Sequence, residues 1–571
     1  MLPAFELKIA AALDRARRDR VIERMWRKDA SLWKSGAQAQ EEIGDCLGWL
    51  DLPETMPRAA AEIEAFCDEI RAAGFKHALV LGMGGSSLAP EVFRQAFAPK
   101  AGCPTLLVLD STDPDSVAFA ASIAQEESTL YIVSSKSGTT TEPLRFFDYF
   151  YGRAKARLGQ AEAGRHFAAI TDPGSYLETL AREKGFRRVF LNPPDIGGRY
   201  SALSYFGLVP AALAGIDIKE LLRRAAAMRQ SCAPSQPPDR NPALWLGAAL
   251  GVLAAEGIDK VTFLASAEIS ALGLWLEQLL AESTGKEGRG IVPVSDEPVM
   301  DASSYGRDRV FVQLQLENSR DQEIPALAES LKAAHPLIEL RLRDPLDLGA
   351  EFYRWETATA VLGRALGINP FDQPNVQEAK DRTKKVLKQL SDSGALPAPE
   401  HHSRREGLSL TFSGASWDFI RAKNKAPEFV DGLRLFLADR RPGDYIGLLA
   451  YLNPWNDCAE ELHAIQRELQ TTGLPLQTGY GPRYLHSTGQ LHKGGPDSGI
   501  FLILSRADAA ALKIEGCGYS FGELVRAQAL GDFLALSGAG RRAVFIEFSG
   551  APPLPIQKIA GALRAAASAG A

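Results

Sequence analysis

Two short segments of the chain combine residue types that could bind a phosphate group. The first, SSKSGTTTEP at residues 134–143, concentrates serine and threonine hydroxyls around Lys136. Hydroxyl and backbone N–H donors can surround a phosphate, while a lysine compensates its charge. The segment lacks the GK[ST] signature of a P-loop, which favours a sugar phosphate over a nucleotide. The alternative is a turn in which one of the threonines caps a helix starting near Glu142.

The second segment, GMGGSS at residues 82–87, lies between a predicted buried strand and a predicted helix. Glycines there let backbone N–H groups approach an anion, and the helix N-terminus adds the positive end of its dipole. A dinucleotide loop needs a glycine where this chain has Ser87, although Asp110 provides an acidic strand end. A tight turn without a ligand and a nicotinamide-dependent dehydrogenase are therefore both alternatives. Since both segments follow strands of one predicted sheet, together they indicate an anion site more strongly than either alone.

The elements that must position these loops are short apolar runs separated by stretches of helical length. Predicted strands start near residues 76, 105, 129, 166 and 188, then 260, 310 and 337, then 445, 499 and 543. Strands this apolar, alternating with helices, predict an α/β fold with doubly wound parallel sheets flanked by helices. The expected parts are a helical segment at 1–60, α/β domains at 61–216 and 217–390, and an additional C-terminal α/β segment at 409–571.

Between these parts, residues 231–242 form a Pro-rich surface stretch, and residues 391–407 resemble a linker. Residues 518–538 faintly echo residues 348–367. A diverged internal duplication is one interpretation of this similarity.

Composition narrows the function classes. The 571 residues carry 64 Lys and Arg against 70 Asp and Glu, a net charge of −6, so bulk attraction to nucleic acid or an anionic membrane is not expected. The six cysteines include no CxxC pair, which predicts reduced thiols. The N-terminus lacks the apolar region of a signal peptide, and the longest uncharged apolar stretch has 15 residues. We expect a soluble, cytoplasmic protein without a membrane span, and no histidine spacing predicts a metal site.

Several motifs, in one order along the chain, resemble the phosphoglucose isomerase family, whose domains have the sugar-isomerase (SIS) fold. They are GMGGSSLAPEV, STDP, SSKSGTTTEP, DIGGRYSALS, WLEQLLAESTGKEGRG and GINPFDQPNVQEAK, and they cover about residues 70–390. MWRKDASLW and GYGPRYLHSTGQLHKGGP further resemble the isomerase part of transaldolase/glucose-6-phosphate isomerase fusion proteins. A transaldolase barrel of some 250 residues has no room beside this much isomerase.

The resemblance implies an aldose–ketose isomerase that uses neither a cofactor nor a metal. It makes Glu282 the carboxylate that moves a proton between adjacent carbons, and Arg199 the cation that stabilises the enediolate. Lys380 assists ring opening. The implied substrate-binding residues are Gly84, Gly85, Ser86, Ser135, Lys136, Ser137, Thr140, Gly198, Gln278 and Gln373. From the residues alone, Glu282 could be a surface glutamate, Arg199 part of a surface salt bridge, and Lys380 part of a solvated basic helix face.

The ring-opening histidine departs from the family pattern, which places it between the glutamate and the lysine. In this chain only His335 lies there, and its sequence context is unlike that of the family. The LHSxGQ context appears instead at His486, with His492 as the fallback. In the family this histidine comes across a dimer interface, whereas here a C-terminal domain could supply it within one chain.

The function that we expect is interconversion of glucose 6-phosphate and fructose 6-phosphate by ring opening and cis-enediolate proton transfer. One alternative is a phosphoglucose/phosphomannose isomerase of the same fold, and another is a non-catalytic SIS protein that senses sugar phosphates. The expected partner is a small-molecule sugar phosphate. A homodimer and a separate transaldolase are left open by the sequence.

Overall fold

The computed structural model describes residues 3–453 and 458–568. Within these residues, fifteen strands form three sheets. The strands are β1 (His77–Leu81), β2 (Thr105–Leu109), β3 (Thr129–Ser134), β4 (Phe167–Thr171), β5 (Arg188–Leu191), β6 (Lys260–Ala265), β7 (Val292–Val294), β8 (Arg309–Leu316), β9 (Leu337–Leu342), β10 (Ser403–Arg405), β11 (Leu408–Phe412), β12 (Tyr445–Tyr451), β13 (Leu476–Tyr480), β14 (Gly499–Arg506) and β15 (Arg542–Phe548).

Twenty-three α-helices connect and cover the strands within the same described residues. They are α1 (Pro3–Arg18), α2 (Val21–Trp26), α3 (Ala37–Gly44), α4 (Leu52–Thr55), α5 (Ala60–Ala72), α6 (Leu88–Ala96), α7 (Pro114–Ile123), α8 (Thr141–Leu158), α9 (Gln160–Ala163), α10 (Tyr176–Glu183), α11 (Tyr205–Leu213), α12 (Ile218–Ser231), α13 (Pro242–Ala255), α14 (Leu272–Thr284), α15 (Glu323–Leu331), α16 (Leu348–Leu366), α17 (Val376–Ser393), α18 (Gly414–Lys423), α19 (Phe429–Ala438), α20 (Ala459–Gln470), α21 (Gly489–Gly494), α22 (Phe521–Gly538) and α23 (Leu554–Ser568).

The first sheet has the strand order β2-β1-β3-β4-β5, and all its pairs are parallel. Every residue of β3 is buried, which explains its nearly continuous apolar sequence. From β1 the chain adds β2 on one side of the sheet and then β3 on the other, so the strand order reverses between β1 and β3. In open α/β sheets, ligands bind at such a point, beyond the carboxyl ends of the strands. The glycine loop follows β1 and the Ser/Thr loop follows β3, so this edge is where the predicted anion site belongs.

The second sheet repeats this topology in the order β7-β6-β8-β9, again entirely parallel. The third sheet contains a parallel part ordered β13-β12-β14-β15, to which β11 and β10 add an antiparallel hairpin. The predicted mixed α/β fold with parallel sheets is therefore confirmed. When the strands of each parallel part are numbered from one in chain order, all three parts begin with the spatial order 2-1-3-4.

The strands that the sequence analysis missed are β7, β10, β11 and β13. Three residues are too few for a periodic signal in β7, and β13 (LQTGY) is a half-buried edge strand without an apolar run. The linker prediction for residues 391–407 was wrong at its end, because β10 lies there. The two segments that echo each other become α16 and α22, which hold different positions: α16 follows the last strand of the second sheet, whereas α22 connects β14 to β15.

Hydrophobic packing joins the third sheet to the rest of the protein. One buried cluster combines Ala281 of α14 and Val292 of β7 with Tyr445, Phe501 and Phe545 from the third sheet. A larger cluster unites the N-terminal helices with both other sheets and contains the buried aromatics Trp275, Phe352, Tyr353 and Trp355. The C-terminal segment therefore packs directly against the helix that carries Glu282. The domain boundaries at 60/61, 216/217, 390 and 409 stay predictions, and the chain ends at 1–2 and 569–571 lie outside the described residues.

No helix in the described part of the chain is long and apolar enough to cross a membrane. The six cysteines, all within the described residues, form no disulfide with one another.

Candidate active site

The glycine loop is tightly enclosed by backbone from other parts of the chain. After β1 it forms a 3₁₀ turn at Gly84–Ser86. A Cβ at Gly85 would lie 2.0 Å from the carbonyl oxygen of Gly198, and one at Gly84 would lie 2.8 Å from that of His486. The glycines are thus required by close contact between three predicted site segments, which the sequence did not show to be neighbours.

The hydroxyls of the Ser/Thr loop hydrogen-bond to one another. The Ser135 hydroxyl donates to Oγ1 of Thr140 at 3.0 Å, and the hydroxyls of Ser137 and Thr139 lie 3.1 Å apart. Although Thr140 precedes α8, its side chain does not cap the helix. The helix-capping alternative for this loop is therefore not supported at Thr140.

Further contacts connect the Ser/Thr loop to its surroundings. The Lys136 ammonium forms an ion pair with Asp172 and donates to the carbonyl oxygen of Pro194. The Ser86 carbonyl oxygen accepts a hydrogen bond from the Ser134 hydroxyl at 3.2 Å, which connects the two anion-binding loops.

Arg199 forms the most highly connected polar centre of the site. Its Nη1 lies 3.6 Å from Oε1 of Glu282 and donates to Oε1 of Gln373 at 2.8 Å. Its Nε donates to the Ser283 hydroxyl at 2.8 Å, and its Nη2 to the carbonyl oxygens of Pro370 and Asp372. Arg199 is 3% exposed and Glu282 8%, so neither is a surface residue.

His486 lies in the 3₁₀ turn Arg483–His486, between β13 and β14 of the third sheet. Its Nε2 lies 3.3 Å from Oε1 of Glu142, and its carbonyl oxygen accepts a hydrogen bond from Nε2 of Gln278 at 2.7 Å. A cleft of about 170 Å³ is lined by this imidazole and by Ser137, Thr140, Glu142 and Lys380, among others. The structure therefore brings the predicted histidine and lysine together with the Ser/Thr loop.

The carboxylate beside His486 is the main site residue that the sequence analysis missed. Burial alone would raise the pKa of Glu142, but the charge and hydrogen bond of His486 outweigh it and leave this pKa below the ordinary value. Gln528 of α22 donates to Oε1 of Glu142 at 2.7 Å, and Thr112 donates to the Gln528 amide oxygen. Glu142 stands inside the quoted Ser/Thr motif, which was a usable signal, whereas nothing in the sequence pointed to Gln528.

The other two histidine candidates lie elsewhere. His335 is buried against Phe311, with ring centroids 5.2 Å apart. His492 is buried in the third sheet's packing, where Nε2 meets Oε1 of Gln477 at 2.7 Å and burial holds its pKa well below the ordinary value.

Comparison with known proteins identifies the family of this chain. A family profile described as phosphoglucose isomerase matches residues 51–293. A curated relative from Carboxydothermus hydrogenoformans, named glucose-6-phosphate isomerase, is 32% identical over 406 residues, covering 61% of this chain and 86% of the relative. A relative of the same name from Symbiobacterium thermophilum is 31% identical over 400 residues, with coverages of 60% and 86%. The chain belongs to the phosphoglucose isomerase family.

Two solved structures share the fold of this chain. A hypothetical protein from Thermus thermophilus aligns with a TM-score of 0.58 and 26% identity, over 67% of this chain and 98% of that one. A glucose-6-phosphate isomerase from Chlamydia trachomatis aligns with a TM-score of 0.53 and 22% identity, over 67% and 86%. The family profile ends before Gln373, Lys380 and His486, and the closer resemblance to transaldolase fusion proteins stays a prediction.

Lys286 is a second buried cation of the candidate site, which the sequence analysis did not single out. Its ammonium lies 2.6 Å from a carboxylate oxygen of Asp372 and donates to the Asp372 carbonyl oxygen, which also accepts from Arg199. Burial lowers the pKa of Lys286 to about 8, the nearby Arg199 charge acts in the same direction, and Asp372 partly offsets both. The segment that carries Gln373 is therefore held by two cations.

This low pKa predicts a measurable pH dependence of stability. In the unfolded chain Lys286 keeps its proton up to its ordinary pKa of 10.5, whereas the folded protein releases it near 8. Between these values the unfolded state binds more protons, so the free energy of unfolding rises with pH. Relative to Lys286→Met, we expect the wild type to gain about 3 kcal/mol from pH 8 to 10.5, measured by chemical denaturation.

A matched control for this titration is Lys34→Met, because Lys34 pairs with Glu287 beside the same turn but is more exposed. This variant reports the effect of losing a more exposed lysine charge at the same turn. A stability difference between the wild type and Lys286→Met that stays constant from pH 8 to 10.5 would contradict the assignment.

Proposed function

We propose that this protein is a glucose-6-phosphate isomerase that works by ring opening followed by cis-enediolate proton transfer. The relatives named glucose-6-phosphate isomerase support the activity. The observation that carries the mechanism is the pairing of two centres. Arg199 contacts Glu282 in one, and His486 with Glu142 lines a cleft in the other. Gln278, four residues before Glu282 on α14, links the two by donating to the His486 carbonyl oxygen.

Glu282 is the base that moves the proton between C1 and C2 of the open-chain sugar. A carboxylate can take the proton from one carbon and return it to the next without leaving its place. The oxygen of the enediolate gains negative charge in this step, and Arg199 supplies a fixed, buried positive charge beside it. Because burial reduces screening, this charge stabilises the intermediate more than an exposed arginine would.

His486 and Lys380 act in opening the sugar ring, which requires one group to take a proton and another to give one. The Glu142 carboxylate can only accept from Nε2 of His486, so in the neutral ring Nδ1 is the free acceptor. Glu142 thus fixes both the tautomer and the orientation of the imidazole.

The substrate phosphate is proposed to lie against the Ser/Thr loop. Hydroxyl donors to the phosphate would come from Ser135, Ser137, Thr140 and, on the neighbouring loop, Ser86. The side-chain amide of Gln373 would donate through its NH2 group. A Cβ at Gly198 would meet nothing within 4 Å, so this position leaves room for substrate, whereas Gly84 and Gly85 pack against other backbone and would contribute backbone N–H groups. Lys136 would add long-range positive charge from its position beside Asp172.

Replacing the base should abolish turnover. Glu282→Gln keeps the shape of the side chain but cannot accept a proton, so we expect kcat to fall by about 10²–10⁴-fold or more. The measurement is isomerisation of fructose 6-phosphate coupled to glucose-6-phosphate dehydrogenase.

Glu277→Gln is the matched control on the same helix. Burial raises the pKa of Glu277 to about 8, so this acid is protonated at neutral pH and an amide is a near-isosteric replacement. It should retain nearly wild-type activity. An inactive wild type that still binds sugar phosphate would support the non-catalytic sensor instead.

Removal of the ring-opening histidine should affect cyclic substrates selectively. His486→Ala should reduce turnover of fructose 6-phosphate about 10²-fold or more. It should leave exchange of the C2 proton of erythrose 4-phosphate nearly unchanged, because the phosphate on O4 prevents ring closure of this sugar. Exchange is measured by deuterium incorporation from solvent, and equal losses in both reactions would contradict the assigned role.

Supply of His486 and Glu282 by the same chain can be tested by mixing two inactive variants. If each site is complete within one chain, Glu282→Gln and His486→Ala cannot complement each other after joint unfolding and refolding. A site shared between two chains would instead regain up to about a quarter of the activity in a statistical mixture of dimers. Recovery of activity in the mixture would therefore reject the single-chain site.

A further inference from the structure

Asp110, the acidic strand end considered above as a dinucleotide ligand, has a different partner in the fold. Nε and Nη2 of Arg483 donate to its two carboxylate oxygens, each at 2.9 Å. Asp110 is 1% exposed, and the Arg483 side chain 13%. This bidentate ion pair joins the carboxyl end of β2 in the first sheet to the turn that carries His486.

We propose that the Asp110–Arg483 pair is a positioning device that holds the His486 imidazole in the ring-opening cleft. The proposal rests on the proposed isomerase function and adds to it two residues that do not contact substrate. It assigns Asp110 a role in ring opening rather than in binding a dinucleotide.

The strand order explains how the pair could set the position of the imidazole. Along the edge of the first sheet the carboxyl ends stand in the order β2, β1, β3. Arg483 is held at the end of β2, the carbonyl oxygen of His486 lies over Gly84 after β1, and the imidazole meets Glu142 after β3. The turn therefore spans two strand spacings, roughly 10 Å.

The chemistry of this contact suits it to fixing a position. Two parallel N–H···O bonds between a planar guanidinium and a carboxylate restrain rotation as well as distance. Tyr484, the next residue, donates to Asp532 at 2.6 Å and so ties the turn to α22, the helix that connects β14 to β15 of its own sheet. Arg483 ties the turn to the sheet that provides Glu142. Without Arg483, the hydrogen bond from Gln278 would still hold the backbone at His486. The start of the turn would no longer be held at the end of β2, so the turn could rotate about His486.

The test compares two reactions of Arg483→Met, Asp110→Asn and the double variant. A displacement of the imidazole by about 1 Å should lower kcat for fructose 6-phosphate roughly 10²-fold, with a smaller effect on KM. Deuterium exchange at C2 of erythrose 4-phosphate, which needs no ring opening, should stay within about threefold of the wild type. Because both single variants break the same ion pair, kcat of the double variant should be little lower than that of either single variant.

A matched control comes from the pair Arg542–Asp444 in the third sheet. It is also buried and bidentate, with both bonds at 2.7 Å. Arg542→Met removes an equivalent ion pair away from the His486 turn, so any loss of activity should be equal in the two reactions. A selective loss of ring opening in this control as well would overturn the proposal.

If Arg483→Met does not fold, Arg483→Lys carries the test, because it keeps the charge but loses the planar fork. The same selective loss is expected. Wild-type turnover in Arg483→Lys, or equal losses in both reactions for the Arg483 variants, would overturn the proposal. A wild type without isomerase activity would show that the proposed function itself is wrong, and the inference would fail with it.

Discussion

The site depends above all on one buried guanidinium. Arg199 has lost nearly all contact with water, and a buried charge is tolerated only when its donors are satisfied. Its bonds reach Ser283 on α14 and three groups of the segment that precedes α17. The same contacts that satisfy Arg199 therefore place Glu282 and Gln373, which come from distant parts of the sequence. The hydrogen bonds that satisfy the buried charge of Arg199 are therefore the same ones that bring the site segments together.

The third sheet extends this assembly. Its turn at Arg483–His486 lies across the edge of the first sheet, and Gln490 further on bonds both to Asn375 and to the carbonyl oxygen of Gly285. These polar contacts are backed by a shared apolar cluster between α14, β7 and the third sheet. A histidine that follows Lys380 by about a hundred residues can thus lie in the same cleft, because the tertiary contacts, and not the order along the chain, determine the site.

The sequence by itself indicated much of the fold. Most strands were found because buried parallel strands are nearly continuously apolar, a pattern that depends on local residues alone. The missed strands β7 and β13 are short or half-buried edge strands, whose stability comes from neighbours that sequence patterns do not show. The single antiparallel hairpin at β10 and β11 was missed for a similar reason, since its first strand lies in a polar stretch that is typical of a linker.

The sequence also determined the chemical inventory of the site: a glutamate, an arginine, a lysine and a histidine, each in a motif resembling one family, with glycines and hydroxyls at two strand ends. Only the tertiary structure decided which of these groups meet. It placed Glu142 beside His486, Lys286 beside Asp372, and Arg483 against Asp110, and it directed the Lys136 ammonium to Asp172. The physical reason is that residue types and local periodicity are encoded along the chain. The burial and pairing of charges are decided by packing between segments up to several hundred residues apart.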